Sequence, residues 1–562
     1  MNPRAGFRAV ERQFRGALLL LPLIFLAVFF FYPLLSILGI SLAPGGTLDL
    51  SGFGRIAGSD YYWRTFLFTT GQAAASTVLT LCLAFPAAYM FARYDFPGKR
   101  VLLSLATLPF VLPTVVVAAA FSALLGEDGL VNQALTALFG VQAAPIQLEG
   151  TLGIILIAHV FYNYSVAMRL IASYWASLSP RMDEAARVLG AHGWALWWRI
   201  RLPALRPAIL AAAALVFIFT FTSFGVVLIL GGIRFATLEV EIYNQARNLF
   251  DLQTAAALSL VQIGFMFALM FVYAHLSRGI AVDLQAARST ARAPHGWREK
   301  GFVALNLGVL VIFQFAPLIA LVIRSFTTND GVFTTAYYAQ LSTNTRGSVL
   351  FAPPLEALGH SLTYAAITTL LAVVLGLLTA YFLNGRRTWV GRWLDPVFML
   401  PLATSAVTLG FGYIVALDEP PLNLRASPLM IPLAHTLVAL PFVVRSVLPA
   451  VRSISPAVRG AAAVLGASPF MVWRTIDLPL ISRGLFVGAA FAFTVSMGEF
   501  GASLFIARPD APTLPIVIFR LLGQPGALNY GQAMAMSTLL MGACGLSFIA
   551  IERFRTLGIG EF

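Results

Sequence analysis

Few residues of this chain have side chains suited to acid–base or ligand chemistry. Glu499 stands in the otherwise uncharged run Ser496-Met497-Gly498-Glu499-Phe500-Gly501, and an ionisable group inside an apolar segment is costly enough to mark a function. Its neighbours Gly498 and Gly501 allow close backbone approach and the lining of an opening, where the carboxylate would act as a transient counter-ion for a passing cation. The alternative is a structural carboxylate bonded to a neighbouring helix. His159 and His435 each follow an alanine in an apolar stretch. No further His, Cys or carboxylate completes a ligand set around them, so they read as packing groups rather than a metal site. Arg169 and Arg445 read as snorkelling anchors. Cys82 and Cys544 lie alone in apolar segments, with neither disulfide nor zinc spacing. Gly98-Lys99 is followed by Arg100, so no phosphate-cradling G-x-x-x-x-G-K-[ST] loop is present. No nucleophile with an adjacent base is visible either.

The elements that must hold these groups are set by composition. Of 562 residues 59% are hydrophobic and only 11% charged, with a mean hydropathy of +0.83, whereas soluble domains carry roughly a quarter of their residues charged. An ordinary soluble enzyme is excluded. At about 20 apolar residues per crossing, twelve spans are predicted near 17–40, 66–91, 101–125, 152–174, 208–230, 255–276, 302–323, 362–383, 397–416, 429–448, 485–506 and 531–551. The first, preceded by Arg4, Arg8, Arg12 and Arg15, ends in Tyr32-Pro33 rather than a small-residue cleavage motif and reads as uncleaved. Lys and Arg crowd the loops on the N-terminal side, with few on the other side, such as Arg55, Arg234 and Arg508. Both termini are therefore expected in the cytoplasm, and the net charge of +13 reports topology, not nucleic acid, with membrane lipid as the partner of the apolar spans.

The chain is also duplicated. An offset of 276 places Ser179-Pro180 on Ser455-Pro456, Ala185-Ala186 on Ala461-Ala462, Val188-Leu189-Gly190-Ala191 on Val464-Leu465-Gly466-Ala467, and Leu202-Pro203 on Leu478-Pro479. It also places His159 on His435, Ser223 on Glu499 and Phe224-Gly225 on Phe500-Gly501. Upstream the offset becomes 292, pairing Ala88-Tyr89 with Ala380-Tyr381. The expected fold is an all-α polytopic membrane protein of about twelve transmembrane helices, two parallel six-helix repeats related by a pseudo-two-fold axis along the membrane normal. Residues 1–277 form the first domain, 278–300 a cytoplasmic linker and 301–562 the second domain.

The strongest internal match is a cytoplasmic loop, near 179–207 and again near 455–484. Asp183 and Glu184 favour the first turn of a helix, Gly190 ends it, and a second amphipathic piece leads to Leu202-Pro203. Small residues at 185–186 and 461–462 let another protein approach closely, so a repeated loop of this kind suggests two equivalent partners. The motif Glu184-Ala185-Ala186, Gly190, Ile200-Arg201-Leu202-Pro203, with its second copy Gly460-Ala461-Ala462, Gly466, Ile476-Asp477-Leu478-Pro479, resembles the coupling-loop signature of permeases in ATP-binding-cassette importers. The second copy departs from the signature where Gly460 replaces its acidic residue.

This resemblance covers essentially the whole chain. It implies a bacterial inner-membrane permease of two fused domains, each docking one of two cytoplasmic ATPase subunits, with ATP and Mg²⁺ on those partners and no cofactor here. The implied coupling residues are Glu184, Ala185, Ala186, Gly190, Leu202, Pro203, Ala461, Ala462, Gly466, Leu478 and Pro479. A soluble extracytoplasmic binding protein would deliver the solute to a path near Glu499, Ser223, Gly498 and Gly501. Fused permeases of this family occur among thiamine and ferric-iron importers. The segments Ala158-His159-Val160-Phe161-Tyr162-Asn163, Leu230-Gly231-Gly232 and Thr237-Leu238-Glu239-Val240-Glu241-Ile242-Tyr243 are more similar to the thiamine permeases. The competing class is a twelve-span secondary transporter, which would need a coupling-ion site and gives no reason for duplicated loop helices.

Overall fold

The structure, a computed structural model, describes residues 20–141, 144–179, 181–277, 291–343, 350, 352–385, 389–418, 420 and 422–555. Arg4, Arg8, Arg12, Arg15, Pro180 and residues 278–290 of the expected linker lie outside them. Regular structure among the described residues is helical, with isolated bridges only between Tyr94 and Arg292 and between Thr327 and Phe333.

In the first half run α1 (Leu20–Leu42), α2 (Asp60–Arg93), α3 (Thr114–Leu125), α4 (Leu152–Ser177), α5 (Arg181–Val188), α6 (Leu202–Phe221), α7 (Gly225–Leu230), α8 (Leu238–Tyr243) and α9 (Leu252–Ser277). The second half holds α10 (Gly296–Ser325), α11 (Pro354–Gly385), α12 (Ala406–Leu417), α13 (Met430–Ser453), α14 (Pro456–Val464), α15 (Leu478–Gly498), α16 (Gly501–Ile506), α17 (Leu514–Leu522) and α18 (Ala527–Arg555). Among the described residues eleven helices are long and apolar enough to cross a membrane, and a bent pair, Leu394–Leu402 with Ala406–Leu417 at 96°, makes up to twelve. The chain is thus a polytopic all-α membrane protein. The starts of α6 and α15, of α7 and α16, and of α8 and α17 fall at the sequence offset of 276.

Four predicted spans are not continuous. The third, expected over 101–125, begins as Lys99–Leu105 and Leu108–Val111 and turns at Pro113 into α3. Proline pushes the preceding residue out of the helical region, and Leu112 is accordingly extended. The ninth turns at the matching Ser405, whose hydroxyl accepts from the Val407 and Thr408 N–H groups and caps α12. The fifth and eleventh stop at Phe221 and Gly498 and resume as α7 and α16. Hydropathy alone runs through these breaks because the residues on both sides are apolar. Of the expected linker 278–300, only residues 291–300 are described. Residues 296–300 already belong to α10, and Arg292 meets Glu299 and exchanges backbone hydrogen bonds with Arg93 and Asp95.

Packing follows the small residues that let membrane helices approach. In the first half α2 lies against α4 and α6, and in the second α11 lies against α13 and α15. The first span of each half leans on the other half, α1 on α12 and α10 on α3. Buried polar groups are hydrogen-bonded across helices, as where Gln72 donates to the Thr220 carbonyl at 3.0 Å. At the α11–α13 crossing, a Cβ on Gly376 would stand 2.6 Å from Val443 Cγ1. The aligned positions of the first half are Ala84 and Ala167, both fully buried. One crossing uses two medium residues where the other uses none and a larger one. Gly376→Ala should therefore destabilise by about 1–3 kcal/mol through overpacking, and adding Val443→Ala should recover most of the loss. Thermal unfolding of the detergent-solubilised protein checks both.

Candidate functional site

Two regions draw the site residues together. The first is the pair of repeated loops near 179–207 and 455–484. Helix α5 carries Asp183 and Glu184 in its first turn, and Ser455 caps α14 by accepting from the Ala457 N–H. Both helices end on a left-handed glycine, Gly190 at φ +87° and Gly466 at φ +88°. The closing hydrogen bonds match: Ala191 N–H donates to Ala186 O at 2.9 Å, and Ala467 N–H to Ala462 O at 3.0 Å. This six-to-one closure requires the positive φ that glycine adopts without cost. It throws the preceding apolar residues outward. Val188 and Leu189 are 87% and 86% exposed, and Val464 and Leu465 are 88% and 86% exposed. Apolar side chains so fully displayed at the same place twice form a contact surface.

Around them Glu184 and Ala185 are exposed and Ala186 is buried, while Ala461 is exposed and Ala462 half-buried. Each loop continues through a single π-helical turn, Trp197–Arg201 and Trp473–Asp477. Leu202-Pro203 and Leu478-Pro479 then open α6 and α15 with proline in the first turn, where its missing N–H costs nothing. The first loop sits on an aromatic seat, Trp197 lying 5.8 Å from Trp175 and 5.7 Å from Tyr89. Asp183 accepts from Arg93 at 2.7 Å and from Arg201 at 2.9 Å.

The second region is the layer of helix breaks. Here Phe224 and Phe500, which occupy equivalent positions in the two halves, stack on each other with ring centres 5.7 Å apart and planes 26° apart. Tyr243 adds an edge to Phe224 and another to Phe505, and Phe519 one to Phe500. Phe224 and Phe500 are buried, so aromatic rings from both halves fill the centre at this level. Below each ring a histidine secures the break. His159 Nε2 pairs with Ser223 Oγ at 2.7 Å and its Nδ1 with Ser76 Oγ at 3.2 Å. His435 Nδ1 pairs with Ser496 Oγ and its Nε2 with Ser503 Oγ, both at 2.8 Å, with Glu499 Oε2 3.2 Å away.

Glu499 is therefore not inside a span but in the break between α15 and α16. Its carboxylate accepts from the N–H groups of Ala502 and Ser503 at 2.8 and 2.9 Å and from Ser503 Oγ at 2.7 Å. It caps the open end of α16, where free N–H groups and the helix dipole favour negative charge. Both carboxylate oxygens are engaged, an arrangement closer to the structural alternative than to a free counter-ion. Gly498 and Gly501 do bring backbones close. A Cβ on Gly498 would lie 3.0 Å from Pro113 Cγ of the other half, and one on Gly501 3.1 Å from Ala406 Cβ.

Sequence reasoning missed three features. It missed the ring stack, although the repeat itself matches Phe224 to Phe500. It missed Glu239, fully buried, which takes a hydrogen bond from Gln262 and another at 2.6 Å from Ser405 of the second half. It also missed the hydroxyls of Thr69 and Ser361, which accept from the Leu238 and Leu514 N–H groups at 3.0 and 2.7 Å, so that each half caps its short helix from its second span. Replacing both rings of the stack, Phe224→Ala with Phe500→Ala, should open a leak. Liposomes carrying this variant should lose a trapped small solute at least several-fold faster than wild type without ATP.

Residues 81–282 match the family model described as binding-protein-dependent transport system inner membrane component. The chain is 28% identical to the thiamine transport system permease protein ThiP of Brucella abortus, over 87% of each chain. It is 27% identical to the ferric transport system permease protein FbpB of Actinobacillus pleuropneumoniae, over 92% of this chain and 75% of that one. Among solved structures, a bacterial alginate ABC transporter in complex with an alginate pentasaccharide-bound periplasmic protein is similar at 18% identity and a TM-score of 0.38, over 49% of this chain and 97% of that one. The family model falls on the first half and the two curated relatives run through both, so residues 81–282 hold a binding-protein-dependent transport inner-membrane domain and the similarities support a fused two-domain permease of an ATP-binding-cassette importer.

Proposed function

We propose that this permease carries thiamine, handed over by a soluble extracytoplasmic binding protein and driven by ATP hydrolysis on two copies of a cytoplasmic ATPase, one docked on each loop. The observation behind the docking is the doubled tip, Val188-Leu189 and Val464-Leu465, displayed by the same glycine closure in both halves. In this reading residues 1–277 and 301–562 are the two permease domains, both termini are cytoplasmic, and ATP and Mg²⁺ reside on the partner chains. Glu184, Ala185, Ala186, Gly190, Leu202 and Pro203 form the first docking elbow, and Ala461, Ala462, Gly466, Leu478 and Pro479 the second. Ser223, Gly498, Glu499 and Gly501 frame the break through which the solute passes once the Phe224–Phe500 stack parts.

Thiamine is favoured over iron because the match to a thiamine permease spans 87% of both chains, whereas the ferric permease extends well beyond the matched region. The ferric relative keeps iron as the second reading. The test is ATP-dependent uptake of labelled thiamine and of ferric iron into proteoliposomes holding this chain, the ATPase encoded beside it and the cognate binding protein. Thiamine uptake upholds the proposal, iron uptake alone replaces the substrate, and uptake of neither removes both. In the same vesicles Gly190→Val or Gly466→Val forces a β-branched residue into a positive φ and should cut uptake about tenfold or more while the spans stay folded. Normal uptake with normal stimulation of ATP hydrolysis would overturn the docking assignment.

A further inference from the structure

Aligned at the 276 offset, Asp183 of α5 falls on Arg459 of α14, and Arg201 at the entry to α6 falls on Asp477 at the entry to α15. The structure joins each pair. Asp183 Oδ2 accepts from Arg201 Nη2 at 2.9 Å and from its Nε at 3.2 Å. In the second half Arg459 Nε donates to Asp477 Oδ1 at 2.8 Å. The same tie is present twice with opposite polarity. One change of sign alone would have left two like charges facing each other. Both positions changed together and the contact survived.

We infer that this charge-reversed ion pair is the latch that transmits movement of each docking helix into the span that follows it, and that Asp183, Arg201, Arg459 and Asp477 are positioning residues for transport. The inference rests on the proposed docking of ATPases at these loops. Three observations carry it beyond simple stabilisation. The first pair is shielded, Asp183 and Arg201 side chains being 9% and 10% exposed, and in the second Asp477 is 7% and Arg459 29% exposed, so the acids at least are unlike those of surface pairs, whose contribution is small. Among the described residues, its hydrogen bonds and the one from Arg93 to Asp183 are the only side-chain hydrogen bonds that link α5 or α14 to another helical element. Finally, each latch closes on the turn from which α6 or α15 runs to the breaks at Phe221 and Gly498, beside the stacked rings. A pull on the helix tip thus has one polar route into the gate.

The two latches also reach back differently. In the first half the acid rides on the docking helix and draws in Arg93 from the end of α2. In the second the acid sits on the span and takes the Tyr381 hydroxyl of α11 at 3.2 Å. The second latch, with only two charged members, is the better one to invert.

The test uses the complete complex and the variants Arg459→Asp, Asp477→Arg and their combination, which reproduces the polarity of the first half. Uptake per ATP hydrolysed and ATPase association by co-purification are read in each. Each single reversal should lower uptake per ATP about tenfold with the ATPase still bound, because an unpaired shielded charge is displaced. The combination should recover to within about threefold of wild type, a non-additive rescue. Should a reversal prevent assembly, Asp477→Asn, which keeps an acceptor for Tyr381 but not the ion pair, must still lower the ratio. Singles that transport normally, a combination no better than the product of the singles, or an unchanged ratio in Asp477→Asn overturns the latch. Wild-type uptake in the same preparation is the separate check. Its absence counts against the functional assignment, whereas unrescued variants beside a working wild type count against the latch alone.

Discussion

Inside a bilayer every backbone N–H and C=O must find a partner within the protein, and this chain interrupts four of its apolar spans. The interruptions are possible because side chains take over the missing helical bonds. Glu499 closes the start of α16, Ser405 the start of α12, and Thr69 and Ser361 the starts of α8 and α17. The polar residues in the apolar interior are there chiefly to make helix ends affordable in hydrocarbon. Once the ends exist, short helices can converge on the centre, and the aromatic rings beside them meet their counterparts from the other half.

The same arrangement links the two regions of the site. Helix α6 runs 20 residues from the loop elbow to the break, and α15 runs 21. At 1.5 Å per residue this is about 30 Å, the thickness of the hydrocarbon core. A rigid rod of that length carries an angular displacement at one end to the other with little loss. The glycine closures at 190 and 466 set the direction in which the apolar tips leave the membrane surface, and the prolines at 203 and 479 fix how the rods begin. The cross-half contacts, the Phe224–Phe500 stack and the Glu239–Ser405 hydrogen bond, lie at the far end, where relative motion of the halves is felt first.

Much of this was legible in the sequence. The all-helical class, up to twelve spans and the glycine that ends each loop helix followed from hydropathy and glycine placement. The breaks were not legible, since a hydropathy window sums over Phe221 to Gly225 without registering that Ser223 and Phe224 leave the helix. A proline such as Pro113 marks its own interruption, but its partner Ser405 is an ordinary residue whose capping role depends on where its hydroxyl points. Glu499 was found for the right reason, its cost in an apolar segment, and read incompletely, because a linear pattern does not reveal that a new helix begins two residues later. The reversed ion pair was written in the two copies all along. It escaped notice because a search for identities passes over positions that differ, and the information at 183, 201, 459 and 477 lies in the difference.

The exchange of sizes at the helix crossings, Ala84 and Ala167 in one half against Gly376 and Val443 in the other, has a bearing on how such a chain can be rebuilt. Each compensation is confined within its own half, so each half is a closed dialect in which its helices fit one another. A recombinant that traded α2 for α11 would bring together residues that never adapted to each other, whereas exchange of an entire half would leave every such crossing intact. The seams along which this protein can be cut and reassembled therefore lie between the halves, provided that a new half reproduces what crosses there: α1 on α12, α10 on α3, a ring on a ring, and a carboxylate on a serine.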